Sequence, residues 1–366
     1  MKFTPFQHGL PALDEFPFNV WSRIAQKLYK NMPREVLGYG EPEGYRPLRE
    51  AIAAHLKSAR GVKCDYAQVI ITSGAQHALT LAGKIFLEPR DEVWMEDPCY
   101  LGARGALLSA EIQPIAVRVD TDGFDSSKAL AKGKNAKLVY VTPSHQYPLG
   151  LTMSLARRLA LIDWAKQNDA WVIEDDYNSE YRYAGRPLAS LQGLDRDGRV
   201  IYVGTFSKTI FPSLRLGCLI VPKDLVEVFT IARSLNDLHS PLIEQAILAE
   251  FIAEGHFVRH LRRMRKLYEE RQKILIREAE KQLKGLLKVR EADAGMHLIG
   301  WLPDGIRAER VAEKAAQINL KVSPIAAYSF NPHPPNGLIL GYASYNERQI
   351  KEGVSLLKKI LLEEYD

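Results

Sequence analysis

Cysteine is scarce in this chain: Cys64, Cys99 and Cys218 are the only three in 366 residues. Three widely separated thiols build neither a disulfide framework nor a zinc site, and they fit a reducing cytoplasm. No apolar run approaches a membrane span, and the opening MKFTPFQHGLPALDEFP lacks the basic-then-apolar pattern of a secretion signal. Signatures of other enzyme classes are missing too. No G-x-G-x-x-G follows the first strand-like run, and there is neither a Walker loop nor a G-x-S-x-G elbow. Concentrated charge is also lacking. The net charge of +5 is scattered, and its densest patch is Arg259, Arg262, Arg263, Arg265 and Lys266. On a helix that patch reads as a solvated face rather than a nucleic-acid surface, so no nucleic-acid partner is expected for this chain alone.

What is present is ordinary in bulk and specific in detail. With 46% hydrophobic and 25% charged residues, the chain has the composition of a globular protein. Leu48, Ile52 and Leu56 fall four apart between Pro47 and Lys57, which predicts an amphipathic helix closed by Gly61. Short apolar runs then alternate with helical patterns. Strands are expected at 68–72, 92–96, 112–119, 138–142, 171–174, 199–204 and 216–221, and a helix at 155–165. That alternation predicts a mostly parallel sheet covered on both faces. Beyond residue 245 the pattern changes to long charged helices, strands at 297–301 and 338–342, and a last helix from Asn346. The expected organisation is an N-terminal arm (1–45) joining a small domain, a large domain (46–244) and a small α+β domain (245–366).

Two segments carry chemistry. In the first, Val203-Gly-Thr-Phe-Ser-Lys208 is followed by Arg215 seven residues on. Thr205, Ser207 and a guanidinium suit a phosphate, and a lysine beside them suits a carbonyl that it can attack as the free amine. A surface lysine after a strand would read the same. The second segment, Glu174-Asp175-Asp176-Tyr177, ends another apolar strand, where carboxylates are costly unless paired. Period two points Asp175 and Tyr177 the same way. An aspartate there can hold a protonated pyridine nitrogen, and the tyrosine hydroxyl can donate to a phenolic oxygen. Ser73-Gly74-Ala75-Gln76 opens a helix whose free N–H groups attract a phosphate. Tyr100 offers a ring that could stack on a pyridine, and His145 follows the end of the 138–142 strand, where α/β sheets bind ligands.

Taken together, the stretches LGYGEPEGYRPLREAI, ITSGAQHAL, EDPCYLGAR, VYVTPSHQYPLG, VIEDDYNSEYRY and GRVIYVGTFSKTIFPSLRLG resemble the fold-type I enzymes that use pyridoxal 5′-phosphate. The resemblance is closest to the aminotransferase-like domain of MocR-subfamily, GntR-type bacterial regulators. It implies an α/β chain of aspartate-aminotransferase architecture, a large domain with a seven-stranded-type sheet and a smaller α+β domain. It implies a Schiff base on Lys208, Asp175 at the pyridine nitrogen, Tyr177 at the phenolic oxygen with His145 nearby, and Tyr100 on the ring. Gly74, Ala75, Gln76, Thr205, Ser207 and Arg215 would surround the phosphate. Tyr39 would reach it from a neighbouring subunit, which implies a homodimer with shared sites.

The chain departs from that pattern twice. The winged helix-turn-helix of MocR regulators is not in this sequence, which opens where that module and its linker would end. The arginine that clamps a substrate carboxylate in ordinary aminotransferases is expected just before the last helix, where Ile339 stands. Arg104, Arg182 or backbone N–H groups near Gly9 are the expected substitutes. Two functions follow as expectations. One is amino-group transfer between an amino acid or amine and a keto acid. The other is an effector-sensing domain that binds the cofactor and an amino compound without turnover. Racemisation or decarboxylation would reach the same carbanion by breaking other bonds.

Overall fold

In the helix Arg46–Arg60, Leu48, Ile52 and Leu56 all point inward, Pro47 occupies the first turn, and Gly61 ends the helix at φ +64°. That is the left-handed cap for which glycine carries no steric cost. The structure is a computed structural model that describes residues 5–131, 136–185 and 189–365. Residues 1–4 of the expected arm and Asp366 lie outside the described residues.

Seven strands form the main sheet: β1 (Val69–Thr72), β2 (Glu92–Asp97), β3 (Gln113–Arg118), β4 (Leu138–Val141), β5 (Trp171–Asp176), β6 (Val200–Thr205) and β7 (Gly217–Ile220). Each expected strand is present, with ends differing by a residue or two. The order is β1-β7-β6-β5-β4-β2-β3. Only β7 runs against its neighbours β1 and β6; the other pairs are parallel. Along β1, Val69 and Ile71 enter one apolar cluster and Ile70 another, so both faces are covered. Such a sheet, mostly parallel and covered on both faces, belongs to the α/β class.

A second, antiparallel sheet follows, built from β8 (Lys288–Val289), β9 (His297–Trp301), β10 (Ser323–Pro324) and β11 (Gly337–Gly341), in the order β10-β11-β9-β8. The helices His256–Gln282 and Glu347–Tyr365 pack together in the same region. The expected division at 244/245 falls inside one unbroken helix, Leu242–Ala253, which packs on Arg46–Arg60.

The N-terminal segment returns to this second sheet. The Gly341 N–H donates to the Phe6 carbonyl at 3.0 Å, the Lys321 N–H donates to the Pro5 carbonyl at 3.0 Å, and Phe6 is fully buried. Farther along, the Ala12 N–H donates to the Tyr268 hydroxyl at 2.9 Å. These anchors hold residues 8–10 over the carboxyl edge of the main sheet. The arm also contains a helix, Phe18–Lys30, which the sequence pattern does not announce. No helix among the described residues is long and apolar enough to cross a membrane.

Candidate active site

Strand register gathers the functional segments. The carboxyl end of β6, Thr205, lies opposite Gly217 at the start of β7, and Gly217 is also opposite Thr72 at the end of β1. Arg215 just before β7, Ser73-Gly74 just after β1 and Ser207-Lys208 just after β6 therefore meet at one edge. Asp175 and Asp176, at the end of β5, open onto the same edge. A cavity of about 630 Å³ lies there.

Of the residues expected from sequence, Ala75, Gln76, Tyr100, Asp175, Tyr177, Thr205, Ser207, Lys208 and Arg215 line this cavity. Gly74 stands behind them at φ +86°, where an added Cβ would come within 3.0 Å of the Arg215 guanidinium. Arg215 Nη2 donates to the Ser73 carbonyl at 3.1 Å, and the guanidinium stays exposed. The first N–H groups of the helix Ala75–Phe86 face the same space. An anion is favoured here by the helix terminus and by the fork of the arginine.

Lys208 Nζ donates to the Gly9 carbonyl at 2.8 Å. Burial lowers its pKa, an effect that Asp175 opposes and Arg215 reinforces. Asp175 is 4% exposed. Its Oδ2 accepts from the Tyr140 hydroxyl at 2.8 Å, and its Oδ1 has no hydrogen-bond partner. Burial raises the Asp175 pKa to about 7, although the Tyr140 hydrogen bond pulls the other way. A buried carboxylate oxygen without a partner costs free energy unless something donates to it. A ring with a protonated nitrogen would do so. The pyridoxal phosphate expected from sequence fits the cavity at both ends, with an open acceptor at Asp175 and an anion cradle at Gly74 and Arg215.

Other expected residues stand elsewhere. His145 is buried behind Tyr177 and does not line the cavity. Its Nε2 lies 3.1 Å from the Ala294 carbonyl and its Nδ1 lies 2.8 Å from the Tyr177 hydroxyl. Burial lowers its pKa to about 3, so the ring is neutral at pH 7. A carbonyl can only accept, so Nε2 carries the proton and Nδ1 accepts from Tyr177. The Tyr177 hydroxyl proton is thus directed away from the cavity, and its oxygen is left as an acceptor. Tyr39 is 92% exposed and lies outside the cavity. Arg104 and Arg182 also stand outside the cavity lining. The Arg104 guanidinium sits 4.1 Å over the Phe330 ring, and Arg182 lies 3.8 Å from Asp293 in a separate crevice beside Arg60 and Ser144. Neither reaches the cavity.

Sequence reasoning missed a whole wall. His8, Tyr147, His297 and Tyr328 complete the cavity, and Tyr140 lies beneath Asp175. Tyr147 stands two residues after His145, in a motif already singled out. Tyr140 lies opposite Ile173 in the β4–β5 register, on the same face as Asp175. The others come from distant parts of the chain and left no local signal.

The family described as "Aminotransferase class I and II" matches residues 9–356. The "Probable rhizopine catabolism regulatory protein MocR" of Rhizobium meliloti is 39% identical over 357 residues, covering 98% of this chain and 72% of that protein. "Aromatic-amino-acid aminotransferase 1" of Thermococcus litoralis is 30% identical, covering 97% of this chain and 87% of that one. Among solved structures, LysN, an α-aminoadipate aminotransferase of Thermus thermophilus complexed with N-(5′-phosphopyridoxyl)-L-leucine, superposes with a TM-score of 0.91. It is 29% identical and is covered over 93% of its length by all of this chain.

Proposed function

The chain belongs to the class I and II aminotransferases, with pyridoxal 5′-phosphate as its cofactor, and on that premise we propose that it transfers an amino group with Lys208 as the reacting residue. The observation that carries this reading is that Lys208 and Asp175, whose buried Oδ1 has no partner, line one cavity that ends in an anion cradle. Gly74, Ala75, Gln76, Thr205, Ser207 and Arg215 would hold the phosphate, Asp175 the ring nitrogen, and Tyr100 the ring face. Bound there, the cofactor supplies a carbonyl for a substrate amine and a ring that takes up the electrons of a carbanion.

This chain's own groups do the rest. Burial depresses the Lys208 pKa, which makes its amine available as a free base. Nζ can then accept a proton from the substrate carbon that bears nitrogen and return it on the other side of the transfer. Asp175 keeps the ring-nitrogen proton in place. The neutral His145 holds the Tyr177 hydroxyl so that its oxygen accepts a hydrogen bond from the cofactor side of the cavity. The arm reaches over the site through Gly9, whose carbonyl accepts from Lys208 Nζ.

Several further points belong to the same reading. The exposure of Tyr39 supports a homodimer in which it reaches a partner's phosphate, and the three free thiols support a cytoplasmic setting. The chain would divide into an arm, a large domain and a small domain, with the break at Gly255 between two helices. The similarity to the MocR regulator favours a second reading, in which the amino compound is bound and sensed without turnover.

The test is to load the protein with pyridoxal 5′-phosphate and follow its visible spectrum with a panel of amines and amino acids. Loss of the band with release of a carbonyl product supports transfer. A shifted band that persists, with no carbonyl product, supports sensing.

A further inference from the structure

Among the described residues of this chain, nothing cationic faces the part of the cavity away from the phosphate cradle. Among the lining residues only Lys208 and Arg215 are lysine or arginine. Arg215 is committed to the cradle by its bond to Ser73, and Lys208 is the residue that engages the cofactor. The opposite wall is His8, Tyr147, His297 and Tyr328, with ring centroids 5.5 to 6.2 Å apart. Burial lowers the pKa of His8 to about 3 and that of His297 to about 4, so both rings are neutral at pH 7. Behind this wall Ile339 is fully buried with Ile299 and Ile325. Arg104 and Arg182 are held elsewhere by Phe330 and Asp293.

A carboxylate pressed against such a wall would lose its water and gain no charged partner, which is expensive. The wall offers neutral polar atoms instead. His8 Nδ1 is buried and has no hydrogen-bond partner, and the Tyr328 hydroxyl lies 3.2 Å from His8 Nε2. A neutral substituent can pack on the rings without that cost.

From this wall we infer that the substrate is a primary amine carrying no carboxylate beside its nitrogen, rather than an α-amino acid. The inference rests on the proposed amino-group chemistry at Lys208 and narrows its substrate class.

The experiment uses the full chain loaded with pyridoxal 5′-phosphate and matched pairs: L-phenylalanine with 2-phenylethylamine, L-serine with ethanolamine, and L-alanine with ethylamine. Two readouts are taken, the cofactor's absorption change and the ligand-induced rise in melting temperature. The amine of each pair is expected to half-saturate both at a concentration at least tenfold lower. Amino acids that bind as well as or better than their amines overturn the inference, as does the absence of binding by either series. Ile339→Arg would place a charge in a packed interior and is liable to misfold. His8→Arg, on the half-buried arm, adds the missing cation at the surface of the wall. It is expected to shift the preference at least tenfold towards the amino acids, and an unchanged preference counts against the inference. A protein that shows no cofactor band before any amine is added overturns the Lys208 reading and this inference together. A band with amino-acid preference overturns this inference alone.

Discussion

The Tyr140 hydroxyl donates to Asp175 Oδ2 at 2.8 Å, so one oxygen of this carboxylate is fixed from below and the other is left for a ligand. Tyr140→Phe should remove a hydrogen bond to a charged group, worth roughly 1.5–3 kcal/mol. The expected result is about a tenfold fall in turnover and weaker cofactor binding, with little change in melting temperature once the cofactor is bound. Steady-state kinetics and cofactor dialysis check it.

Asp175 also sets a pH dependence in the cofactor-free protein. Its folded pKa, about 7, lies above the ordinary carboxylate value because burial disfavours the charge. The unfolded chain therefore releases this proton first as pH rises. The resulting cost to stability is absent below about pH 4 and grows until about pH 7. Asp175→Asn should make the cofactor-free protein more stable than wild type at pH 8, roughly by a few kcal/mol at most, and equal to it near pH 4. Melting curves at the two pH values decide this. In the loaded protein the same change should cost activity about a hundredfold or more, because the ring nitrogen loses its acidic partner.

Gly74→Ala tests the anion cradle. The residue sits at φ +86°, and a Cβ would come within 3.0 Å of Arg215 Nη2. The backbone strain alone is on the order of 1 kcal/mol. Displacement of the guanidinium should add at least about a tenfold loss in affinity for pyridoxal 5′-phosphate, measured by equilibrium dialysis. Affinity equal to wild type would count against the cradle.

His145→Phe keeps the buried ring but removes the acceptor for the Tyr177 hydroxyl. Tyr177 would then donate into the cavity instead of accepting. The expected outcome is a fall in kcat of about tenfold with KM nearly unchanged, together with a shifted absorption maximum of the bound cofactor. A loss confined to melting temperature would mean that His145 serves packing only.

The parts of the site legible in sequence are those that a single strand end displays. Lys208, Asp175 and Arg215 each sit beside an apolar run whose β-branched residues announce a strand, so their position at the carboxyl edge follows from local pattern. Tyr140 is not legible because its partnership with Asp175 depends on the register of β4 against β5, which no local pattern states. The wall of His8 and Tyr328 joins residues 320 positions apart and exists only because the arm folds back onto β11. Ile339 marks a place where the resemblance puts a cation. What stands in its stead depends on the packing of three separate segments. Arg104 and Arg182 are suggested by their charge, and their actual partners, an aromatic ring and a loop carboxylate, are invisible from spacing.

If Lys208 engages the cofactor, the bond between them can be trapped. The most direct measurement is to load the protein with pyridoxal 5′-phosphate, reduce it with borohydride, digest it and locate the cofactor by mass spectrometry. One modified peptide, containing Lys208, is expected, and none in Lys208→Ala. A modification elsewhere, or the same yield in the variant, would contradict it.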